Sequence, residues 1–194
     1  MMKFFKYISF LMLLLLSRLG DLFAQMDGNC HIDVVSGSPV LFQLSTMDEL
    51  NNGKTIIYTS VVRAFFVKPI QKWTLHVKSV APLFDGPSDI DVSTVHLQVK
   101  QLTMNSDLTL VPGSNDLYSY TNNGEQELRA NDVVLCYGSV NPANYENYKN
   151  YYLMFQVHFS LKADNSDAAK SFTDKISGYY ASQAVFWMEY DLRP

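Results

Sequence analysis

The chain has 194 residues, of which 47% are hydrophobic and 18% are charged, and its formal net charge is −4. This length suits one domain of ordinary size, and the apolar content excludes disordered, low-complexity and collagen-like chains. The mild acidity is unlike the basic surface of a nucleic-acid-binding protein, so we expect no nucleic-acid partner.

The first 24 residues have the pattern of a signal peptide. Lys3 and Lys6 precede an apolar stretch at 8–16, and Ala24 is a small residue before the expected cleavage site. The stretch is shorter than the about 20 apolar residues of a membrane-spanning helix. The sequence therefore predicts an exported domain at 25–194 with no transmembrane helix after cleavage. We expect it in the periplasm, at the cell surface or outside the cell, with an uncleaved anchor as the alternative.

Period-two alternation of apolar and polar residues dominates the rest of the chain and predicts β-strands. In chain order, the predicted strands are 30–36, 40–45, 55–67, 73–78, 94–100, 108–111, 132–137, 153–162 and 184–192. The best candidate helix is 167–176, where Asp167 could cap a short turn. Eight or so strands without regular strand–helix alternation predict a single all-β domain, an antiparallel sandwich with at most one short helix. A closed barrel is the alternative.

Three short patterns stand out among these strands: Trp-Thr-Leu-His-Val from Trp73, Ile-Asp-Val-Ser from Ile90, and Gly178-Tyr179-Tyr180 before the last strand. Together they resemble secreted bacterial surface proteins with an immunoglobulin-like β-sandwich, the group of pilin-like and spore-coat-U-like domains. The resemblance covers about 30–192 and implies an immunoglobulin-like fold of about eight strands. It also implies a role at the cell surface, with other envelope or surface proteins as partners. The few residues at 25–29 are short for donating a strand to a neighbour, so polymerisation is not implied.

The chain has two cysteines, Cys30 and Cys136. Export into an oxidising compartment makes one disulfide between them the expected pairing. Two buried free thiols are the alternative, because the sequence does not show whether the two Cα atoms lie within the about 7 Å that a disulfide allows.

No residue pattern indicates catalysis, a cofactor or a metal site. Of the four histidines, His76, His96 and His158 fall on the polar rows of predicted strands, where solvated surface positions are expected. No serine lies in a nucleophile elbow, and the carboxylates of 85–91 lack the spacing of an EF-hand and fit an acidic turn. We therefore expect a protein that is not an enzyme and that binds no cofactor. A hydrolase with an unrecognised site is an alternative.

Partner recognition is expected at aromatic side chains. The segment 141–152 holds four tyrosines and four asparagines between two predicted strands, and Trp187 lies on the row opposite Phe186 and Met188. Tyrosine combines an apolar ring with a polar tip, which suits both glycan stacking and protein recognition. The candidate partner-binding residues are Tyr145, Tyr148, Tyr151, Tyr152 and Trp187. The alternatives are tyrosines that fold back onto the sandwich and an indole that is covered by another segment.

These observations favour a secreted, non-enzymatic structural or adhesive surface module, fimbria-like or envelope-associated. A carbohydrate-binding module that uses the Tyr/Asn-rich loop 141–152 is the second hypothesis. The two differ in their partners, which are envelope or surface proteins in the first case and glycans in the second.

Overall fold

The computed structural model describes residues 30–37, 39–40, 42, 44, 46–66, 70–104, 108–110, 118–140, 151–176 and 178–192. Within these residues the chain forms ten strands and one short α-helix. The strands are β1 (Cys30–Ser36), β2 (Lys54–Phe66), β3 (Ile70–Ser79), β4 (Val95–Met104), β5 (Leu108–Leu110), β6 (Tyr118–Asn122), β7 (Gln126–Glu127), β8 (Val133–Val140), β9 (Tyr151–Leu161) and β10 (Ala184–Leu192). The helix, α1, spans Met47–Asn52, and a turn of 3-10 helix at Val92–Thr94 precedes β4.

The strands form two antiparallel sheets. Sheet A has the order β1-β2-β9-β4-β5, with β7 also paired to β4, and sheet B has the order β10-β3-β8-β6. All eight strand pairings are antiparallel. The predicted all-β antiparallel sandwich is therefore confirmed, with two short strands beyond the about eight that were expected.

The predicted alternation decides which face of each strand is buried. Every second residue of β9 from Leu153 to Leu161 is buried, and Trp73, Leu75 and Val77 of β3 are buried in the same way. These rows from the two sheets belong to one hydrophobic core. The intervening residues point outward, because successive side chains of a strand lie on opposite faces. The molecule thus has two outer faces, one on each sheet.

The predicted helix at 167–176 is wrong. The structure has turns there: the Asp167 carboxylate accepts a hydrogen bond from the Ala169 amide, and its carbonyl accepts bonds from the amides of Lys170 and Ser171. The helix forms instead at α1, after Thr46. The Thr46 hydroxyl accepts from the Glu49 amide and the Glu49 carboxylate accepts from the Thr46 amide, at 3.1 and 3.2 Å, which is a capping box.

The predicted strand at 40–45 is also wrong at the three residues of it that the structure describes, Val40, Phe42 and Leu44. Their side chains pack against the core without a place in either sheet. Phe42, for example, meets Tyr58 edge to face, with ring centroids 5.1 Å apart. The apolar residues of this segment that the structure describes thus serve the core outside a strand, which explains why their spacing resembles that of a strand.

The expected disulfide between Cys30 and Cys136 is not formed in this structure, where Cys136 carries a free thiol. Cys30 begins β1, which contacts β10 across the sandwich. Cys136 lies in β8, which is two strand spacings, about 10 Å, from β10. The separation of the two cysteines combines this offset with the distance between the sheets. The offset alone already exceeds the about 7 Å that a disulfide spans between Cα atoms.

In the part of the chain that the structure describes, no helix is long and apolar enough to cross a membrane.

Candidate functional site

The outer face of sheet B carries Trp187, the tryptophan among the candidate binding residues. Trp187 lies in the edge strand β10, directly opposite His76 of β3. Lys78 lies two residues after His76 in β3, and Glu189 lies two residues after Trp187 in β10. Both therefore share this face. We call Trp187, His76, Lys78 and Glu189 the Trp187 cluster.

Two contacts fix the indole of Trp187. Its ring is stacked on the imidazole of His76, with centroids 5.1 Å apart and planes 12° from parallel. The Lys78 ammonium lies 5.0 Å from the centroid of the Trp187 ring. A cation–π contact of this kind contributes about 0.5–1 kcal/mol at an exposed site. These contacts therefore hold the half-buried indole in one orientation on the outer face of sheet B.

His76 is buried on this outward face, with 8% of its surface exposed. Neither ring nitrogen has a hydrogen-bond partner among the residues that the structure describes. Nε2 is 3.5 Å from a carboxylate oxygen of Glu189, without the geometry of a hydrogen bond. An unpaired buried polar atom costs about 1–3 kcal/mol. The solvated histidine expected at this position is thus wrong, because Trp187 and the neighbouring strands cover the ring.

The same face continues across β8 and β6 with a second aromatic residue and several hydroxyl groups. Tyr137 lies opposite Thr74 of β3 and Thr121 of β6, and it is 46% exposed. Ser139 and Ser119 form the next pair on this face, and their hydroxyl oxygens are hydrogen-bonded at 2.7 Å. Outside the Trp187 cluster, the described part of this face is therefore rich in hydroxyls.

Two tyrosines of the predicted loop, Tyr151 and Tyr152, lie in sheet A. β9 begins at Tyr151, so Tyr151 and Tyr152 belong to a strand. Tyr152 is half-buried, pairs with Phe65 of sheet A, and points away from the core because its neighbour Leu153 is buried. Tyr152 and Trp187 are therefore on opposite sides of the sandwich and do not share a binding surface. Tyr145 and Tyr148 lie outside the described residues.

A second cluster of charged groups surrounds Glu125, which precedes β7, and Glu127 of β7. Glu125 contacts two side chains: one of its oxygens is 3.0 Å from Nδ1 of His96 and 2.6 Å from the ammonium Nζ of Lys162. The hydrogen bond from Lys162 lowers the pKa of Glu125. The pKa of His96 is also lowered, first by burial and then by the charge of Lys162. This pattern favours a neutral His96 beside an ionised carboxylate.

Glu127 of β7 is paired in a similar way. Its two oxygens lie 3.1 Å from Arg129 and 3.4 Å from Lys170. Burial acts to raise the pKa of Glu127, but the hydrogen bond from Arg129 and the charge of Lys170 outweigh it, and the pKa is lowered. Both carboxylates of this charged cluster are thus engaged by cations, which is the arrangement of a structural tie.

No group of three or more histidine, cysteine or acidic side chains is placed to hold a metal ion within the described residues. The acidic segment 85–91 has structural contacts instead. Asp91 accepts a hydrogen bond from the Ser93 amide at 2.8 Å, and the backbone of Asp85 pairs with that of Ala181.

Sequence reasoning identified Trp187 but missed His76 and Tyr137 as its neighbours on one face. The alternation placed Thr74 and His76 on one polar row, which was the available signal. The order β10-β3-β8, which brings the three strands together, links distant parts of the chain and has no local sequence signal.

No known protein family matches this chain, and no curated protein is significantly similar to it.

Proposed function

We propose that the protein is a secreted, non-enzymatic structural or adhesive module of the bacterial surface, fimbria-like or envelope-associated, and that it binds its partner through the Trp187 cluster. The observation that carries the proposal is the indole of Trp187, which His76 and Lys78 fix on the outer face of an edge strand. The signal-peptide pattern of residues 1–24 supports export to the envelope.

A fixed aromatic side chain supports a binding role for a physical reason. Binding has an entropic cost for each side chain that becomes ordered, of about 0.5–1.5 kcal/mol for a flexible one. The stack on His76 has already ordered the indole, so little further freedom is lost when a partner covers it. Tryptophan is also among the residues most often found at the energetic centre of an interface.

The test replaces Trp187 by alanine in the full-length protein in its native host. We expect wild-type protein to fractionate with the envelope and to remain on washed cells. Trp187→Ala should reduce the retained amount at least tenfold, because an aromatic anchor typically contributes about 2 kcal/mol or more to binding. Thermal unfolding of both purified proteins checks that the variant is folded.

Tyr179→Ala is the matched control, because Tyr179 is 98% exposed and is not part of either sheet. Its retention should equal that of the wild type. Equal retention of a folded Trp187→Ala variant would contradict the proposed binding surface. Recovery of the wild-type protein from the cytoplasm would contradict the proposed location.

A carbohydrate-binding function at loop 141–152 stays a prediction, since 141–150 are outside the described residues. Tyr152 itself lies on sheet A, apart from the Trp187 cluster. Glycan binding is favoured more directly by the outer face of sheet B, where aromatic and hydroxyl side chains lie on the same side of the sheet.

A further inference from the structure

We infer that the outer face of sheet B binds an extended, neutral polysaccharide chain, which lies across the strands from Trp187 to Tyr137. The inference rests on the proposed binding role of the Trp187 cluster and gives that role a ligand class. It enlarges the site by Tyr137 and by the hydroxyl groups beside it.

The separation of the two aromatic rings favours a chain over a single sugar. Trp187 pairs with His76 and Tyr137 pairs with Thr74, so the two aromatics are two strands apart and offset by two residues. At about 4.8 Å between strands and about 3.3 Å per residue, their Cα atoms are about 12 Å apart. This distance exceeds one sugar ring, so the two side chains would contact different sugars of the same polymer.

The shape of the face points in the same direction. Both aromatics are on a sheet surface, and the line between them crosses β3 between His76, whose ring is buried, and Thr74, which is a small side chain. A planar ring on such a surface offers its apolar face to the C–H face of a sugar, while hydroxyls beside it form hydrogen bonds. Thr121 and the Ser119–Ser139 pair supply these hydroxyls next to Tyr137.

The charges of the face favour a neutral ligand. Lys78 lies 3.8 Å from a carboxylate oxygen of Asp132, Glu189 lies 3.5 Å from His76, and Lys72 is directly opposite Asp191. Each cation thus has an acidic neighbour, and no field of one sign covers the face. An anionic polymer such as a uronic acid chain would meet Glu189 and Asp191 without a compensating excess of cations.

The face also differs from a typical protein interface, whose centre is apolar and depleted of charge. Its two aromatics are separated by threonine and charged side chains. Of the aliphatic side chains on this face, Val134 opposite His76 and Val185 opposite Lys78 are half-buried, and the exposed Val80 lies past the end of β3. The exposed Val34 and Val35 are in β1. These differences favour the glycan over the protein as occupant.

The experiment measures binding of the full-length protein from its host to insoluble cellulose, chitin and mannan, with polygalacturonate as the anionic polymer. We expect at least one neutral polysaccharide to retain the wild type and polygalacturonate to retain none above background. Trp187→Ala and Tyr137→Ala should each lower the bound fraction at least tenfold. Tyr179→Ala should bind as the wild type does, since Tyr179 is outside this face.

Tyr137 is exposed, so its replacement by alanine tests the inference without a risk to folding. Trp187→Phe should recover part of the binding that Trp187→Ala loses.

Failure of the wild type to bind any of the neutral polysaccharides would overturn the inference, as would unchanged binding by Tyr137→Ala. If Trp187→Ala loses retention on cells while the wild type binds no polysaccharide, the proposed function stands with a protein partner, and only the ligand class falls.

Discussion

Gly138 lies in β8 directly opposite Trp73, whose indole is 3% exposed. The Trp73 ring contacts two further aromatics of the core, Phe155 at a centroid distance of 5.5 Å and Tyr120 at 6.3 Å. A Cβ atom on Gly138 would be 2.5 Å from the Trp73 ring and 2.5 Å from the backbone oxygen of Ser119. Glycine therefore makes room for the indole at the centre of the sandwich.

We expect Gly138→Ala to lower the free energy of unfolding by about 1–3 kcal/mol, the usual cost of overpacking a well-filled core. The backbone oxygen of Ser119 cannot move without disturbing the β6–β8 ladder, so the indole would have to shift. Urea unfolding followed by tryptophan fluorescence measures the change. Ser139→Ala, on the outer face of the same strand, is the control and should stay within about 0.5 kcal/mol. A Gly138→Ala protein as stable as the wild type would show that the indole has space to move.

At the level of elements, β7 is a strand of two residues that pairs with β4 through His96 and Leu97. Such a short ladder contributes little by itself. The charged cluster adds contacts from Glu125 to His96 and Lys162, which tie the approach of β7 to β4 and to the end of β9. The attachment of β7 should therefore depend on the ionisation of these groups.

The lowered pKa values of His96 and Glu125 predict that acid destabilises the fold in two steps. A group whose pKa is lower in the folded state binds more protons after unfolding, so stability falls as the pH falls. For His96 the loss begins near the unfolded pKa of about 6.5, and for Glu125 near about 4.3. Urea unfolding at a series of pH values from 7.5 to 3 measures both steps.

Two variants separate these steps. His96→Gln should remove part of the loss between about pH 6.5 and 5, and Glu125→Gln part of the loss below about pH 4.3. Each variant is the control for the range of the other. A pH profile of His96→Gln that is parallel to the wild type above pH 5 would show that His96 does not titrate differently in the folded and unfolded states.

The elements differ in how much of them the sequence could predict. The span of β1 was predicted at both ends, and so was the core row of β9, because period-two burial leaves a direct trace in the sequence. The predicted row of β10 packs against the core from Ala184 to Tyr190. β6 was missed because it has only five residues and runs into the turn formers Asn123 and Gly124, so its alternation is too short to stand out. The helix was misplaced because the capping box at Thr46 is a local signal of only two side chains. Asp167 is also a good N-cap residue, but it forms a turn and lacks the second side chain of a capping box.

At the scale of the whole molecule, the strand order decides what the sequence could show of the site. Tyr152 and Trp187 were grouped by chemistry, and the fold separates them onto opposite sides of the sandwich. Trp187, His76 and Tyr137 come from three strands whose adjacency depends on long-range pairing. Side-chain type thus pointed to Trp187 as a candidate binding residue. Which other residues share its face could be known only from the strand order.

The last prediction concerns Cys136, which is fully buried in β8, where burial raises the pKa of its thiol. A reagent that needs the thiolate can reach this sulfur only when the two sheets separate. We therefore expect iodoacetamide to label Cys136 in the native protein roughly a thousandfold or more slowly than in urea, because opening of the core requires most of the about 5 kcal/mol or more that unfolds a domain. Peptide mass spectrometry of the protein purified without reductant from its host assigns the labelled residue. Rapid labelling of the native protein would show a local opening of β8, and a bond from Cys136 to Cys30 would show that the sandwich can bring the two strands closer than their sheet positions allow here.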